Sequence, residues 1–275
     1  MDMPGTNPVP PPPVEQELVD QAVAWAREAG DLTLGWFRHP GLAVDAKADG
    51  SPVTRADHDA EHLLRDRIAA AHPHDAIIGE EHDDVGGTSG RTWVIDPIDG
   101  TQAFSHGVGT YSNLLYLEDS HGPAVGVINL PALGETVWAG RGRGCFLNGE
   151  PTAVAAPRPG PALEGAVLCT TGFHRWNPAM FDRAQAAGVL VRTWGDAYGY
   201  ALVASGRAAA MFDPLLAWWD LAAVMVVVQE AGGVITRRDG SAEVLTATNP
   251  EPHPYSAIAS GGADHELWVA MLADR

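Results

Sequence analysis

The chain is poor in cysteine and in positive charge, and it has no long apolar run. Two cysteines, Cys145 and Cys169, are all that 275 residues contain. They supply neither a disulfide framework nor a zinc-ligand set, and they point to a reducing, cytoplasmic setting. Seventeen Lys and Arg face 35 Asp and Glu, a formal net charge of −18. So acidic a surface argues against nucleic acid and anionic membranes as partners. The longest apolar stretch, Leu221 to Val228, is too short to cross a bilayer. The opening MDMPGTNPVPPPP has neither a basic n-region nor an apolar h-region, so no secretory signal is expected. Its prolines predict an extended, poorly ordered tail over residues 1–13.

An apolar fraction of 45% does allow a sizeable core, in one large domain or two modest ones. Leu18, Ala22, Trp25 and Ala29 recur at helical spacing between Val14 and Phe37. Asp49-Gly50 reads as a turn. Thr54, with Asp57 three residues on, predicts a capped helix that runs to about Ala71. The segments AIIGE, TWVID, YSNLLYL, AVGVINL, ETVWAG and GCFLNGE read as strands, and Asn148-Gly149 as a hairpin turn. After the proline-rich APRPGPALEG, strands alternate with helices. The expectation is a mixed α+β and α/β fold, with an α+β half over 14–155 and a βαβ-like half over 156–275.

Within that frame, the stretch WVIDPIDGTQAF (93–104) carries two aspartates to the end of an apolar strand and then turns sharply. Glu80 closes AIIG, Asp57 follows VTRA and Asp220 follows LLAWW. Acids at the ends of separate apolar segments converge on one point without lining up a row of repelling charges. Hard cations such as Mg²⁺ take such oxygen ligands and share them with substrate phosphate. Asp96 is placed to bridge two ions, Pro97 stiffens the turn to Asp99, and the Ile98 carbonyl is a spare ligand. Gly100-Thr101-Gln102 predicts a helix start whose free N–H groups favour an anion beside the metal. Thr101 would orient a water, its hydroxyl proton accepted by Asp57.

Taken in order, DGSPVTRADHDAE (49–61), GEE (79–81), WVIDPIDGTQAF, WWDLAA (218–223) and EAGG (230–233) resemble the signature set of the inositol monophosphatase superfamily. The resemblance covers the chain from about Val14 and implies a layered αβαβα phosphatase. It implies two or three Mg²⁺ ions, replaceable by Mn²⁺, on Glu80, Asp96, Asp99, Asp220 and the Ile98 carbonyl. Thr101 and Asp57 would then be catalytic, with Glu80 beside them, and the Gly100 and Thr101 amides would bind phosphate. Lithium sensitivity and a homodimer are further expectations of the family. In-line attack by activated water would need no covalent intermediate.

For the substrate, GDAYGY, ASGR and DP (195–214) look like the histidinol-phosphatase branch. Gly195, Asp196 and Asp213 are the expected substrate contacts, since an acidic residue suits a cationic amine and imidazole. An inositol monophosphate, or another sugar, cyclitol or nucleoside phosphate, is the alternative. A non-catalytic member of the fold would lack one of the acids or Thr101, and none is missing. A bisphosphatase would need more basic charge than the scattered Arg175, Arg183, Arg192 and Arg207.

Several features carry less. AGRGRGCF (139–146) lacks phosphate-loop spacing and reads as a β-turn. His58 and His62 are spaced i,i+4 with no third ligand evident, and read as a solvated helix face. Asp83 and Asp84 read as a solvated loop. Tyr198, Tyr200, Trp218 and Trp219 read as packing residues.

Overall fold

The structure, a computed structural model, describes residues 10–48, 50–157, 163–241 and 254–273. Residues 1–9 of the proline tail, Asp49 of the expected turn and residues 158–162 of the proline-rich boundary lie outside these.

The chain opens with helix α1 (Gln16–Trp36), then strands β1 (Val44–Ala46) and β2 (Pro52–Thr54), which pair as a small hairpin, then helix α2 (Arg55–Ala71). Seven strands follow in chain order across one sheet: β3 (Ala76–Gly79), β4 (Thr92–Asp99), β5 (Ser112–Asp119), β6 (Gly122–Leu130), β7 (Glu135–Gly140), β8 (Gly144–Leu147) and β9 (Glu150–Thr152). Only β3 and β4 run parallel. A single short helix, α3 (Thr101–Ser105), separates β4 from β5. The remaining elements are β10 (Val167–Thr170), α4 (Pro178–Ala186), β11 (Leu190–Arg192), α5 (Asp196–Ala204), β12 (Ala210–Leu216), α6 (Trp218–Glu230), β13 (Gly233–Thr236), β14 (Tyr255–Gly261) and α7 (His265–Leu272). Their strands form a second sheet, ordered β11-β10-β12-β14-β13.

Strand periodicity explains the layering. Trp93 and Ile95 of β4 join Leu115 and Leu117 of β5 against α1 and α2. Val94, Leu114 and Tyr116 point the other way, into a core shared with α5, α6 and the second sheet. A third core holds α4 and α7 on the far face of the second sheet. All eight residues of β4 are buried, as expected of a strand covered on both faces. The result is the αβαβα layering that the sequence led us to expect.

Two local expectations change, and the β-turn reading of AGRGRGCF holds. The second half begins as read, with β10 parallel to β11 and β12, but β14 runs antiparallel between β12 and β13. The end of the proline segment is docked: Val14 donates to the Arg141 carbonyl (3.0 Å), and Arg141 Nε donates to the Pro12 carbonyl (2.9 Å). The glycines of AGRGRGCF form the β7–β8 turn, where the amides of Gly142 and Gly144 donate to the Glu230 carboxylate at 2.8 and 3.0 Å. Among the described residues no helix is long and apolar enough to cross a membrane.

Candidate active site

Asp96 and Asp99 are three residues apart, so a regular strand would send them to opposite faces of the sheet. The pairing of β4 with β5 slips between them: Asp96 faces Leu114 and Asp99 faces Ser112, leaving one extra residue on β4. That bulge turns both carboxylates to one side. It is held by Asn113 Nδ2, which donates to the Pro97 carbonyl (2.6 Å), and by the Ile98 amide, which donates to Asp96 Oδ1 (3.1 Å). Asp99 Oδ2 accepts from Ser112 Oγ and from the Ala197 amide, both at 2.8 Å.

Asp57, read from the sequence as part of a helix cap, and Asp220, which follows LLAWW, arrive in the same way. Each lies in the first turn of a helix and accepts from the backbone amide that precedes the helix. Thr54 N donates to Asp57 Oδ2 (2.8 Å), and Ala217 N donates to Asp220 Oδ2 (2.7 Å). Each carboxylate thus completes its helix terminus with one oxygen and leaves the other for contacts beyond its own helix. Asp96, Asp99 and Asp220 offer oxygens that all lie within 4.8 Å of one another.

Thr101 opens α3 behind Gly100, whose φ of 78° favours glycine. A Cβ at Gly100 would lie 2.9 Å from Asp196 Oδ2, a contact between the two halves of the chain. The Thr101 hydroxyl has two acceptors in reach, the Ile98 carbonyl at 2.9 Å and Asp57 Oδ1 at 3.3 Å. Asp57 Oδ2 is committed to the amide and hydroxyl of Thr54.

The second half contributes a directed chain. The Asp196 amide donates to Thr171 Oγ1 (3.0 Å), whose proton goes to Asp213 Oδ2 (3.1 Å). Asp213 Oδ1 is buried and has no hydrogen-bond partner among the described residues. Asp196 holds a left-handed φ of 53°, unfavourable for a non-glycine residue. Gly195 has a packing reason: a Cβ there would lie 2.2 Å from Thr171 Cα.

Burial raises the pKa of every one of these acids. Burial first, then the charge of Asp196, lifts Asp99 to about 7. Asp196 and Asp213 also rise to about 7, and Glu80 to about 7 despite its partner Lys47. Asp96 and Asp220 rise well above the usual carboxylate range, pushed by burial and by the other acids. Asp57 is raised by burial against the opposing hydrogen bonds of Thr54. So many buried carboxylates cannot ionise together unless a cation lies among them. An all-oxygen donor set of this kind fits a hard divalent cation.

Glu80 is not one of the converging trio but borders it, sharing a hydrogen bond with Asp96. Its Oε1 is 2.5 Å from Lys47 Nζ, which also reaches Glu81 at 2.6 Å. Burial would lower the Lys47 pKa, but the two glutamates raise it on balance. Sequence reasoning missed this residue, although Lys47 is the only lysine in the chain, the other sixteen basic residues being arginine. It also missed Ser112 and Thr171, single hydroxyls that gave no signal. Tyr200 and Trp218 are buried packing residues, and Asp83 and Asp84 are exposed, as read. A large cavity bounded by Arg237, Arg238, Tyr255 and His265 contains none of the candidate residues.

A trio of converging acids at a strand bulge and a helix start, with the Thr101–Asp57 pair on neighbouring elements, sits on an αβαβα scaffold. Residues 14–270 match the family model described as "Inositol monophosphatase family", and the chain belongs to that family. It is 45% identical to the histidinol-phosphatase of Chlorobaculum parvum over 77% of this chain and 82% of that protein. It is 36% identical to the histidinol-phosphatase of Mycobacterium tuberculosis over 91% and 96%. The solved structure of Thermotoga maritima IMPase superposes with a TM-score of 0.80 at 29% identity, covering 93% of this chain and 96% of that one. The chain is a phosphoric monoester hydrolase.

Proposed function

We propose that this phosphatase hydrolyses histidinol phosphate with bound Mg²⁺, in the cytoplasm and as a homodimer. The observation that carries the substrate assignment is the pair Asp196 and Asp213 beside the trio, with Asp213 Oδ1 buried and unpartnered. A cationic amine would satisfy that oxygen and offset both carboxylates. The likeness to two histidinol-phosphatases supports the same reading.

Asp96, Asp99, Asp220 and the Ile98 carbonyl would hold the ions, with Glu80 joining as Lys47 yields. Bound Mg²⁺ supplies Lewis acidity, which neutralises phosphoryl oxygens and lowers the pKa of a water. Thr101 Oγ1 accepts a hydrogen bond from the attacking water while its own proton is directed to Asp57 Oδ1. The raised pKa of Asp57 suits it to take that proton. The amides of Gly100 and Thr101, at the start of α3, receive the phosphate. Mn²⁺ replacing Mg²⁺, and inhibition by Li⁺, belong to the same reading.

An inositol monophosphate is the second reading, because Asp213 Oδ1 can also accept from a cyclitol hydroxyl, without the added attraction of an ammonium charge. Phosphate release from histidinol phosphate, inositol 1-phosphate, AMP and fructose 1,6-bisphosphate, with Mg²⁺ or with a chelator, decides. Strong Mg²⁺-dependent preference for histidinol phosphate is expected. Preference for a cyclitol or sugar phosphate would overturn the substrate and keep the metal chemistry, whereas undiminished turnover in chelator would overturn the metal chemistry.

A further inference from the structure

His58 and His62, spaced i,i+4 on α2, gain a third histidine from a distant part of the chain. The loop after β3 lays His82 against both, with ring centroids 5.5 Å from His58 and 4.4 Å from His62. Each of these two pairs is near perpendicular, at 80° and 88°. With metal–nitrogen bonds near 2.0–2.1 Å, imidazoles sharing one tetrahedral ion sit with centroids about 5 Å apart.

The outer partners also suit ligation. His62 Nδ1 lies 3.2 Å from the His58 carbonyl, so the tautomer that donates there leaves Nε2 as the free ligand atom. His82 Nδ1 lies 3.3 Å from Glu61 Oε1, outside hydrogen-bond geometry, and has no hydrogen-bond partner among the described residues. A carboxylate or carbonyl behind the non-ligating nitrogen is the usual support for a metal-binding histidine. Glu61 is buried and fixed, accepting from Arg65 Nε and from the Glu81 amide at 2.7 Å each. Arg65 in turn donates to the His82 carbonyl at 3.0 Å, which pins the third histidine to the helix.

We propose that His58, His62 and His82 form a second metal site, distinct from the carboxylate trio, for a borderline transition-metal ion such as Zn²⁺. Three imidazoles favour that class over Mg²⁺, and water completes a tetrahedron. The ring nitrogens do not yet converge: among the described residues only Asp96, Asp99 and Asp220 present three ligand atoms within 4.8 Å. His62 is exposed and His58 half-buried, so ion binding would require these rings to reorient until the three nitrogens converge. An ion here ties α2, which carries Asp57, to the loop that carries Glu80.

The test is a Co²⁺ titration of the full chain in excess Mg²⁺, followed by visible absorption, with Zn²⁺ stoichiometry measured by calorimetry. One equivalent of Co²⁺ with the intense spectrum of a four-coordinate, nitrogen-rich site is expected. His62→Gln and His82→Gln should each abolish it, and His62→Gln should keep Mg²⁺-dependent turnover. If His82→Gln does not fold, His58→Gln replaces it. A weak six-coordinate spectrum alone, or an unchanged spectrum in the histidine variants, would overturn the proposal.

Discussion

The Ala197 amide donates a 2.8 Å hydrogen bond to Asp99 Oδ2, across 98 positions of sequence. Asp99 ends a strand of the first sheet, and Ala197 lies in the first turn of a helix packed under the second. One oxygen of Asp99 is thus held by the opposite half of the chain and by Ser112, and its second oxygen is left for a ligand. The two halves build this centre jointly, through backbone at a helix start rather than through paired side chains.

Asp96→Asn should remove most turnover, because the bulge aims this carboxylate at the shared ligand position. Losing several kcal/mol of charge stabilisation corresponds to about 10³-fold or more in kcat. The metal-free variant should melt higher than wild type, since it no longer buries a repelled acid. Full activity, or a lower chelated melting temperature, would contradict the placement.

Glu80, Asp99, Asp196 and Asp213 titrate at about 7 in the folded, metal-free chain but near 4 when unfolded. Between those values the folded state binds more protons, so their contribution to stability falls as pH rises from about 4 to about 7. His72 and His265, whose pKa values burial lowers below the ordinary histidine value, act in the opposite direction. The melting-temperature difference between Mg²⁺ and chelator isolates the site, and it should widen from pH 5 to pH 8. A constant difference would show that these acids are already ionised or lie apart.

Thr101→Ala should lower kcat by about 10²- to 10⁴-fold with little change in KM, the range for a lost proton-handling group. Thr101→Ser keeps the hydroxyl between Ile98 O and Asp57 Oδ1 and should recover much of that loss. Equal damage from both variants, read in steady-state kinetics, would make Thr101 a packing residue.

Gly100→Ala adds a Cβ at φ 78° and 2.9 Å from Asp196 Oδ2. The backbone strain alone costs about 1–2 kcal/mol, and Asp196 must move away. Denaturant unfolding should report that loss, and kinetics should show a raised KM for an amine-bearing phosphate ester. Wild-type values in both would mean that Asp196 does not lie against Gly100.

Much of this molecule was legible in the chain itself. The Thr54–Asp57 cap, the α1 stripe and the strands of the first sheet follow from local chemistry and from periods of 3.6 and 2. Single residues were harder. Lys47 looked like any loop cation, and only the folded chain sets it between Glu80 and Glu81. His58 and His62 lacked a third partner until the loop after β3 folded back.

Sequence alone determined which residue types are available and where they stand along each element: the acids of WVIDPIDG, the helix-opening Asp57 and Asp220, the glycines that permit left-handed turns. Tertiary structure decided which of them meet. A one-residue bulge, read only from the pairing of β4 with β5, turned Asp96 and Asp99 to one face. Packing α5 and α6 between the sheets brought Asp196 and Asp220 to them, and β12 of the second sheet brought Asp213. Local propensity acts over a few residues, whereas these meetings depend on burying three apolar layers at once, and the energy of that burial is what holds so many acids together in one place.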